Sequence, residues 1–270
     1  MNRHQNPNLG ARKALGQHFL KDRAAIERIA DACREARPDV VFEVGPGKGA
    51  LTERLYGVAP RLVLVEKDRR FVELHSEKAV DNVEIVETDA ARFDFLGSCR
   101  SGERAVVVGN LPYNAAAPIY YNLLAQRRGL ARLVLMFQRE VADRIVSSAG
   151  SRSYGSPSVA TALMTRARVH LRLPPGAFAP PPKVHSAVVL ADPLDAPPCP
   201  VEDDGRFFAF VRGAFAHRRK TIANAMKGTQ ADDGKSLDEA FAEAGILGNS
   251  RAEQLSPETL WNLYRALGGR

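Results

Sequence analysis

Short apolar runs alternate with helix-like stretches along most of this chain. The runs read "DVVFEVG", "RLVLVE", "NVEIVE", "RAVVVGN", "RLVLMFQ", "RVHLRL" and "VHSAVVLA". Glycines and charges bound the earlier ones and helical patterns separate them, which predicts β–α units around a mainly parallel sheet. The last two lie close together and suit an antiparallel edge. The first 21 residues read as an irregular arm. Asp22 then caps a helix on which Ile26, Ile29, Ala30 and Cys33 recur at helical spacing. "ADPLDAPPCPVEDDG" at 191–205 is proline-rich and polar and reads as a linker or long loop. Helical faces follow it: Phe207, Phe208, Phe210, Val211, Ala214 and Phe215; then Leu237, Ala240 and Phe241; then Leu260, Trp261, Tyr264 and Leu267. The expected organisation is an arm over 1–21, an α/β domain over 22–195 and a small all-helical domain over 196–270.

Composition narrows the class. A chain of 270 residues is long enough for a sizeable core, and no uninterrupted apolar segment approaches 18 residues, so no transmembrane span is expected. The start, "MNRHQNPNLGARKALGQHFL", lacks the apolar core of a secretion signal. Cysteines at 33, 99 and 199 have neither metal-ligand spacing nor even number, which points to a reducing compartment, and the expected location is the cytoplasm. None of the 6 histidines belongs to a metal-ligand cluster, so no metal is expected.

The charge is uneven. Residues 1–190 hold 28 Lys or Arg against 19 Asp or Glu, whereas the remainder holds 10 against 12. From Arg144 to Ala191 there are 6 basic residues and no acidic one, and "RFFAFVRGAFAHRRKTIANAMK" at 206–227 repeats that balance. Positive stripes of this kind suit a polyanion, although a solvated helix face gives the same pattern.

The candidate chemistry collects at strand ends. "VVFEVGPGKGALTERL" is strand, glycine turn and helix, and Gly45, Gly47 and Gly49 allow the backbone to approach a ligand. Glu66 ends the next run, 21 residues after Gly45, where a carboxylate can accept from ribose hydroxyls. Asp89 follows the third run and can accept from an adenine amine, and Asn110 ends the fourth. The glycine spacing is G-x-G-x-G, and Lys48 lacks the following Ser or Thr of a phosphate-binding loop, which argues against ATP hydrolysis. Ligands of open α/β sheets bind outside the strand ends, so the four positions together predict an adenosine-bearing cofactor. Within "GNLPYN", Asn110 and Tyr113 are also ordinary turn residues when taken alone.

The set "LGQHFL", "FEVGPGKGALTERL", "VEKD", "GNLPYN", "PPGAFAPPPKVHSAVV", "HRRKTIANAM" and "RAEQLSPETL" resembles the bacterial small-subunit ribosomal RNA adenine N6-dimethyltransferase family, of the KsgA/RsmA type, from about residue 8 to 267. The resemblance implies a Rossmann-like S-adenosylmethionine-dependent methyltransferase fold and dimethylation of two adjacent adenosines in the 3′-terminal hairpin of 16S rRNA. It implies 16S rRNA within the pre-30S or 30S subunit as partner, no metal, and a monomer. It assigns the target adenine to Asn110, the Leu111 carbonyl, Pro112 and Tyr113, with Phe178 as a second aromatic wall or a support for the pocket. It adds Gln17, His18 and Leu20 of the arm to the cofactor set Gly45, Gly47, Glu66, Asp89 and Asn110 read from the strand ends, while the basic run makes Arg218, Arg219 and Lys220 the main candidates for RNA phosphates, with Arg144, Arg152 and Arg166 behind them. His18 stands where many relatives carry Asn, and His185 and Ser186 read as structural. A large-subunit rRNA adenine methyltransferase of the macrolide-resistance type, and an assembly factor that binds RNA without turnover, remain the alternatives.

Overall fold

All seven apolar runs are strands of one sheet in the computed structural model. The structure describes residues 10–12, 17–78, 80–217, 220–228 and 234–269. The sheet is built from β2 (Val40–Val44), β3 (Arg61–Glu66), β4 (Val83–Glu87), β5 (Ala105–Asn110), β6 (Leu130–Gln138), β7 (Thr165–Leu173) and β9 (Ser186–Pro193). Their spatial order is β4-β3-β2-β5-β6-β9-β7. The first five run parallel, and β9 lies antiparallel to β6. The expected reversal therefore falls at the β6–β9 seam, two strands wide at the edge.

Every residue of β2 and β3 is buried, as both-face coverage by helices requires. The covering helices are α1 (Arg23–Glu35), α2 (Thr52–Leu55), α3 (Arg69–Ser76) and α4 (Ala116–Ala125). Asp22 caps α1 by accepting from the Ala25 amide at 3.0 Å, and Ile26, Ile29, Ala30 and Cys33 face the core. Strand order reverses between β2 and β5, which opens a crevice at their carboxyl ends. Gly109 pairs with Val44 there, and a Cβ on it would lie 2.6 Å from the Val44 carbonyl oxygen, so only glycine lets the two strands meet.

Two elements have no counterpart in the hydrophobic pattern. Part of the expected irregular arm is strand β1 (Phe19–Leu20), which pairs antiparallel with β8 (Phe178–Ala179). The second is a regrouping of the chain into two compact units, one within 1–142 and 168–193, the other within 143–167 and 194–270. The segment 143–167 thus departs from the 22–195 boundary expected for the α/β domain. Its helix α6 (Ser156–Met164), which follows α5 (Arg139–Ile145), buries Ser158, Val159, Ala160, Thr161, Leu163 and Met164. A helix apolar on almost every side needs helical neighbours. It finds them in α7 (Asp204–Ala214) and α10 (Pro257–Ala266). The Tyr154 hydroxyl adds a hydrogen bond to the Leu255 carbonyl at 3.1 Å. α8 (Ile222–Ala225) and α9 (Leu237–Glu243) complete this unit. Its core takes Phe207, Phe208, Val211, Phe241, Leu260 and Tyr264, while Phe210, Phe215, Leu237 and Trp261 are only half-buried.

Glu43 is the anomaly of the central strand. It is 2% exposed in β2, its Oε2 has no hydrogen-bond partner among the described residues, and burial pushes its pKa up to about 8. The folded protein therefore keeps a proton that the unfolded chain releases above the ordinary value of 4.5. The stabilisation is complete below pH 4.5 and is lost progressively as pH rises towards 8. Glu43→Gln should remove that decline, opening a stability gap over wild type on the order of 4 kcal/mol by pH 8. Denaturant titrations at pH 5 and pH 8 measure it; an unchanged gap between the two would refute the assignment.

Candidate active site

The glycine turn after β2 is held by side chains that reach it from β3 and α3. Gly45, Gly47 and Gly49 all have positive φ (68°, 52° and 89°), a region that other residues occupy only with strain. The Gly47 amide donates to Glu66 Oε2 at 3.3 Å. Its carbonyl accepts from His75 Nε2 at 2.9 Å, so this imidazole carries its proton on Nε2. His75 is 4% exposed and burial lowers its pKa, which favours the neutral ring. A Cβ on Gly47 would press on the Phe19 ring at 3.0 Å, so the loop has no room for a larger residue there. Gly45 borders the cleft, and a Cβ on it would meet nothing within 4 Å.

Three carboxylates stand at the next strand ends in contrasting settings. Glu66 accepts from the amides of Gly47, Lys67 and Asp68, the last two at 2.8 Å to Oε1. Burial raises its pKa and those three donors oppose the rise. Asp68 caps α3, and the Arg70 guanidinium at 2.6 Å holds its carboxyl down at about 2. Asp89 takes the Lys67 ammonium at 2.6 Å on Oδ2 and the Ala91 amide at 3.0 Å on Oδ1, and the Lys67 contact lowers its pKa. Glu66 Oε1 is filled by its two amide donors, whereas Glu66 Oε2 and both oxygens of Asp89, each with one donor, keep lone-pair capacity for another.

The β5 end brings the amide and the aromatic ring to the same place. Asn110 Nδ2 donates to the His18 carbonyl at 2.7 Å, which fixes the orientation of the amide. Tyr113 hydrogen-bonds Ser186 Oγ at 2.8 Å and stacks on the His18 ring at 5.5 Å between centroids. Burial raises the Tyr113 pKa, so the phenol stays protonated. Leu111 is 1% exposed, and its amide donates to the Met136 carbonyl at 3.3 Å.

A cleft of about 160 Å³ joins these groups. Gln17, His18, Gly45, Gly47, Glu66, Asp89 and the residues from Asn110 to Tyr113 all border it. Two of the expected residues do not. Leu20 and Phe178 pair across β1 and β8 and are buried in the hydrophobic core at 6% and 1% exposure. Side chains alternate along a strand, so Phe19 borders the cleft while Leu20 turns inward. Phe178 is thus a packed support and not an exposed wall. Asp68, Phe19 and His75 were not singled out by the sequence, and Ser186, read there as structural, holds the Tyr113 hydroxyl. The quoted motif "VEKD" contains Asp68, but nothing local distinguished His75. Arg218 and Arg219 lie outside the described residues, and Lys220 is exposed. Among the described residues, no group of three or more His, Cys, Asp or Glu side chains is placed to hold a metal ion, and no helix is long and apolar enough to cross a membrane.

The fold is shared with solved structures. A dimethyladenosine transferase from Plasmodium falciparum superposes with a TM-score of 0.73 at 21% identity, covering 93% of this chain and 99% of that one. The 23S rRNA methyltransferase ErmE gives 0.65 at 25% identity with the same coverage. The family model "Ribosomal RNA adenine dimethylase" matches residues 8–268. A protein of Geobacter metallireducens named ribosomal RNA small subunit methyltransferase A is 44% identical over 96% of this chain and 98% of its own length. Its namesake from Acidobacterium capsulatum is 39% identical over 95% and 91%. This chain belongs to the ribosomal RNA adenine dimethylase family.

Proposed function

We propose that this protein is an S-adenosylmethionine-dependent 16S rRNA adenine N6-dimethyltransferase. It acts on two adjacent adenosines in the 3′-terminal hairpin, within the pre-30S or 30S subunit late in its maturation, and produces N6,N6-dimethyladenosines. The observation that carries this reading is Asn110, whose amide is oriented by the His18 carbonyl and borders the same cleft as Glu66 and Asp89.

The residues present fit the cofactor. Gly45 and Gly47 keep the cleft wall free of side chains, Glu66 Oε2 offers an acceptor for a ribose hydroxyl, and Asp89 offers one for an adenine amine. Gln17 and His18 border the cleft from the arm. S-adenosylmethionine supplies an electrophilic methyl group on a sulfonium centre.

The chain's own residues prepare the amine. The lone pair of an adenine N6 is delocalised into the ring, so the nitrogen is a weak nucleophile. Asn110 Oδ1 and the Leu111 carbonyl accept its two N–H groups and favour a tetrahedral nitrogen. Positive charge develops on that nitrogen during transfer, and these two fixed dipoles stabilise it. No strong base is needed before attack, because the proton leaves afterwards. One N–H remains after the first transfer, so the second uses one acceptor and leaves the other beside a methyl group. Tyr113 stacks on the extruded base and Pro112 stiffens the turn.

The test is to map dimethylated adenosines in the rRNA of both subunits from cells lacking the protein, before and after it is added back. Two adjacent 16S adenosines should gain their methyl groups. Restoration on 23S rRNA alone would move the substrate to the large subunit, and restored maturation without methylation would leave only an assembly factor.

Arg218, Arg219 and Lys220 are proposed as phosphate contacts. Replacing all three by Gln should weaken binding to the small subunit and flatten the plot of log affinity against log salt, by roughly 0.7–0.9 per lost contact. Cofactor affinity serves as the folding control. An unchanged slope would return this run to the status of a solvated face.

A further inference from the structure

His18 touches both members of the catalytic pair, by different parts of the same residue. Its carbonyl accepts from Asn110 Nδ2 at 2.7 Å, and its ring stacks on Tyr113 with 5.5 Å between centroids and 29° between planes. The ring is itself anchored, because Nδ1 lies 2.8 Å from the Pro180 carbonyl oxygen. A carbonyl only accepts, so Nδ1 carries the proton. The residue after His18 enters the β1–β8 ladder, where Phe19 pairs with Ala179, and the Lys21 amide donates to Ala177 at 2.9 Å. The His18 side chain and the backbone that follows it are thus both tied to the segment that carries Pro180, and Tyr113 is held at its hydroxyl by Ser186 and at one ring face by His18.

The spacing decides which face a base can use. A base sandwiched between the two rings would need about 7 Å, two stacking steps of ~3.4 Å. The observed 5.5 Å leaves no such gap, so the target base must take the opposite face of Tyr113. We propose that His18 is a positioning residue for methyl transfer: its carbonyl aims the Asn110 amide, and its imidazole backs the Tyr113 ring against which the adenine stacks. This rests on the reading of Asn110 and Tyr113 given above, and it places the imidazole against Tyr113 instead of the cofactor. The arm and the catalytic turn then form one unit, so order in one is order in the other.

The two contacts respond differently to substitution. Any residue at 18 retains the carbonyl, whereas only a ring retains the stack. His18→Ala should therefore lower the single-turnover methyl-transfer rate about tenfold at saturating S-adenosylmethionine and small subunits. Affinity for S-adenosylhomocysteine, measured by calorimetry, should change by less than about threefold. His18→Phe restores a stacking ring without the Pro180 hydrogen bond and should recover most of the rate. With 2-aminopurine at the target position, His18→Ala should leave the base brighter, less quenched by stacking, than wild type or His18→Phe. In a Tyr113→Leu background His18→Ala should cost little more, because the ring it backs is gone.

Several results would overturn the proposal. Equal losses of rate and cofactor affinity would make the imidazole a cofactor contact. A faster His18→Ala would make it an obstacle that the base displaces, and an unimpaired one would make it inert. Failure of His18→Phe to recover the rate would remove stacking as the cause. A wild-type protein that transfers no methyl group to the small subunit fails the functional reading itself, whereas a competent wild type with an equally competent His18→Ala fails only this one.

Discussion

Asn110→Ala is expected to lower methyl transfer by roughly 10²- to 10³-fold, the loss typical of one oriented donor or acceptor aimed at developing charge. Binding of cofactor and RNA should be largely retained. Single-turnover transfer at saturating RNA and cofactor isolates the step. The structure adds a control, because Asn110 Nδ2 also holds the His18 carbonyl at 2.7 Å. Alanine removes both ends of the amide, whereas Asn110→Asp keeps an acceptor and loses only the donor. If the acceptor carries the chemistry, Asp should be the less damaging change; if anchoring the arm carries it, the two should be equally slow. A near-wild-type rate for Asn110→Ala would eliminate the acceptor role altogether.

Glu66→Ala should separate in the opposite sense, weakening S-adenosylhomocysteine binding by roughly 10- to 100-fold while leaving RNA affinity largely intact. The estimate follows from removing hydrogen bonds to a charged acceptor, each worth about 1.5–3 kcal/mol. Part of the loss is indirect. Glu66 also accepts the Gly47 amide, so its removal loosens the glycine turn and orphans two further amides at Lys67 and Asp68. Glu66→Gln keeps one acceptor but turns its NH2 either toward the Gly47 amide or toward those of Lys67 and Asp68, and it should bind no better than alanine. Calorimetry on variants that melt as wild type does measures all of this. Unchanged affinity in Glu66→Ala would reject the ribose assignment.

The site was legible where its residues follow strands. Gly45, Glu66, Asp89 and Asn110 each sit just past an apolar run, and the parallel sheet brings such positions to one edge whatever the details of packing. What supports them was not legible. His75 reaches Gly47 across 28 residues, Ser186 reaches Tyr113 across 73, and His18 meets Asn110 across 92. No spacing rule connects positions so far apart.

By itself, the sequence determined the strands, the glycine turn, the first helix with its cap at Asp22 and the helical character of the tail. Each is local: apolar runs bounded by charges and glycines, positive-φ positions that favour glycine, and a carboxylate three residues before the amide it accepts. Only the tertiary structure decided that residues 143–167 group with the helical tail, that a two-residue ladder ties the arm to β8, and that Phe19 borders the cleft while Leu20 and Phe178 are packed away. A ladder of two residues is too short to show a period, and an all-round apolar helix such as α6 fits any core until its neighbours are known. Which face of a short strand is buried depends on what folds over it, and that partner is more than 150 residues away.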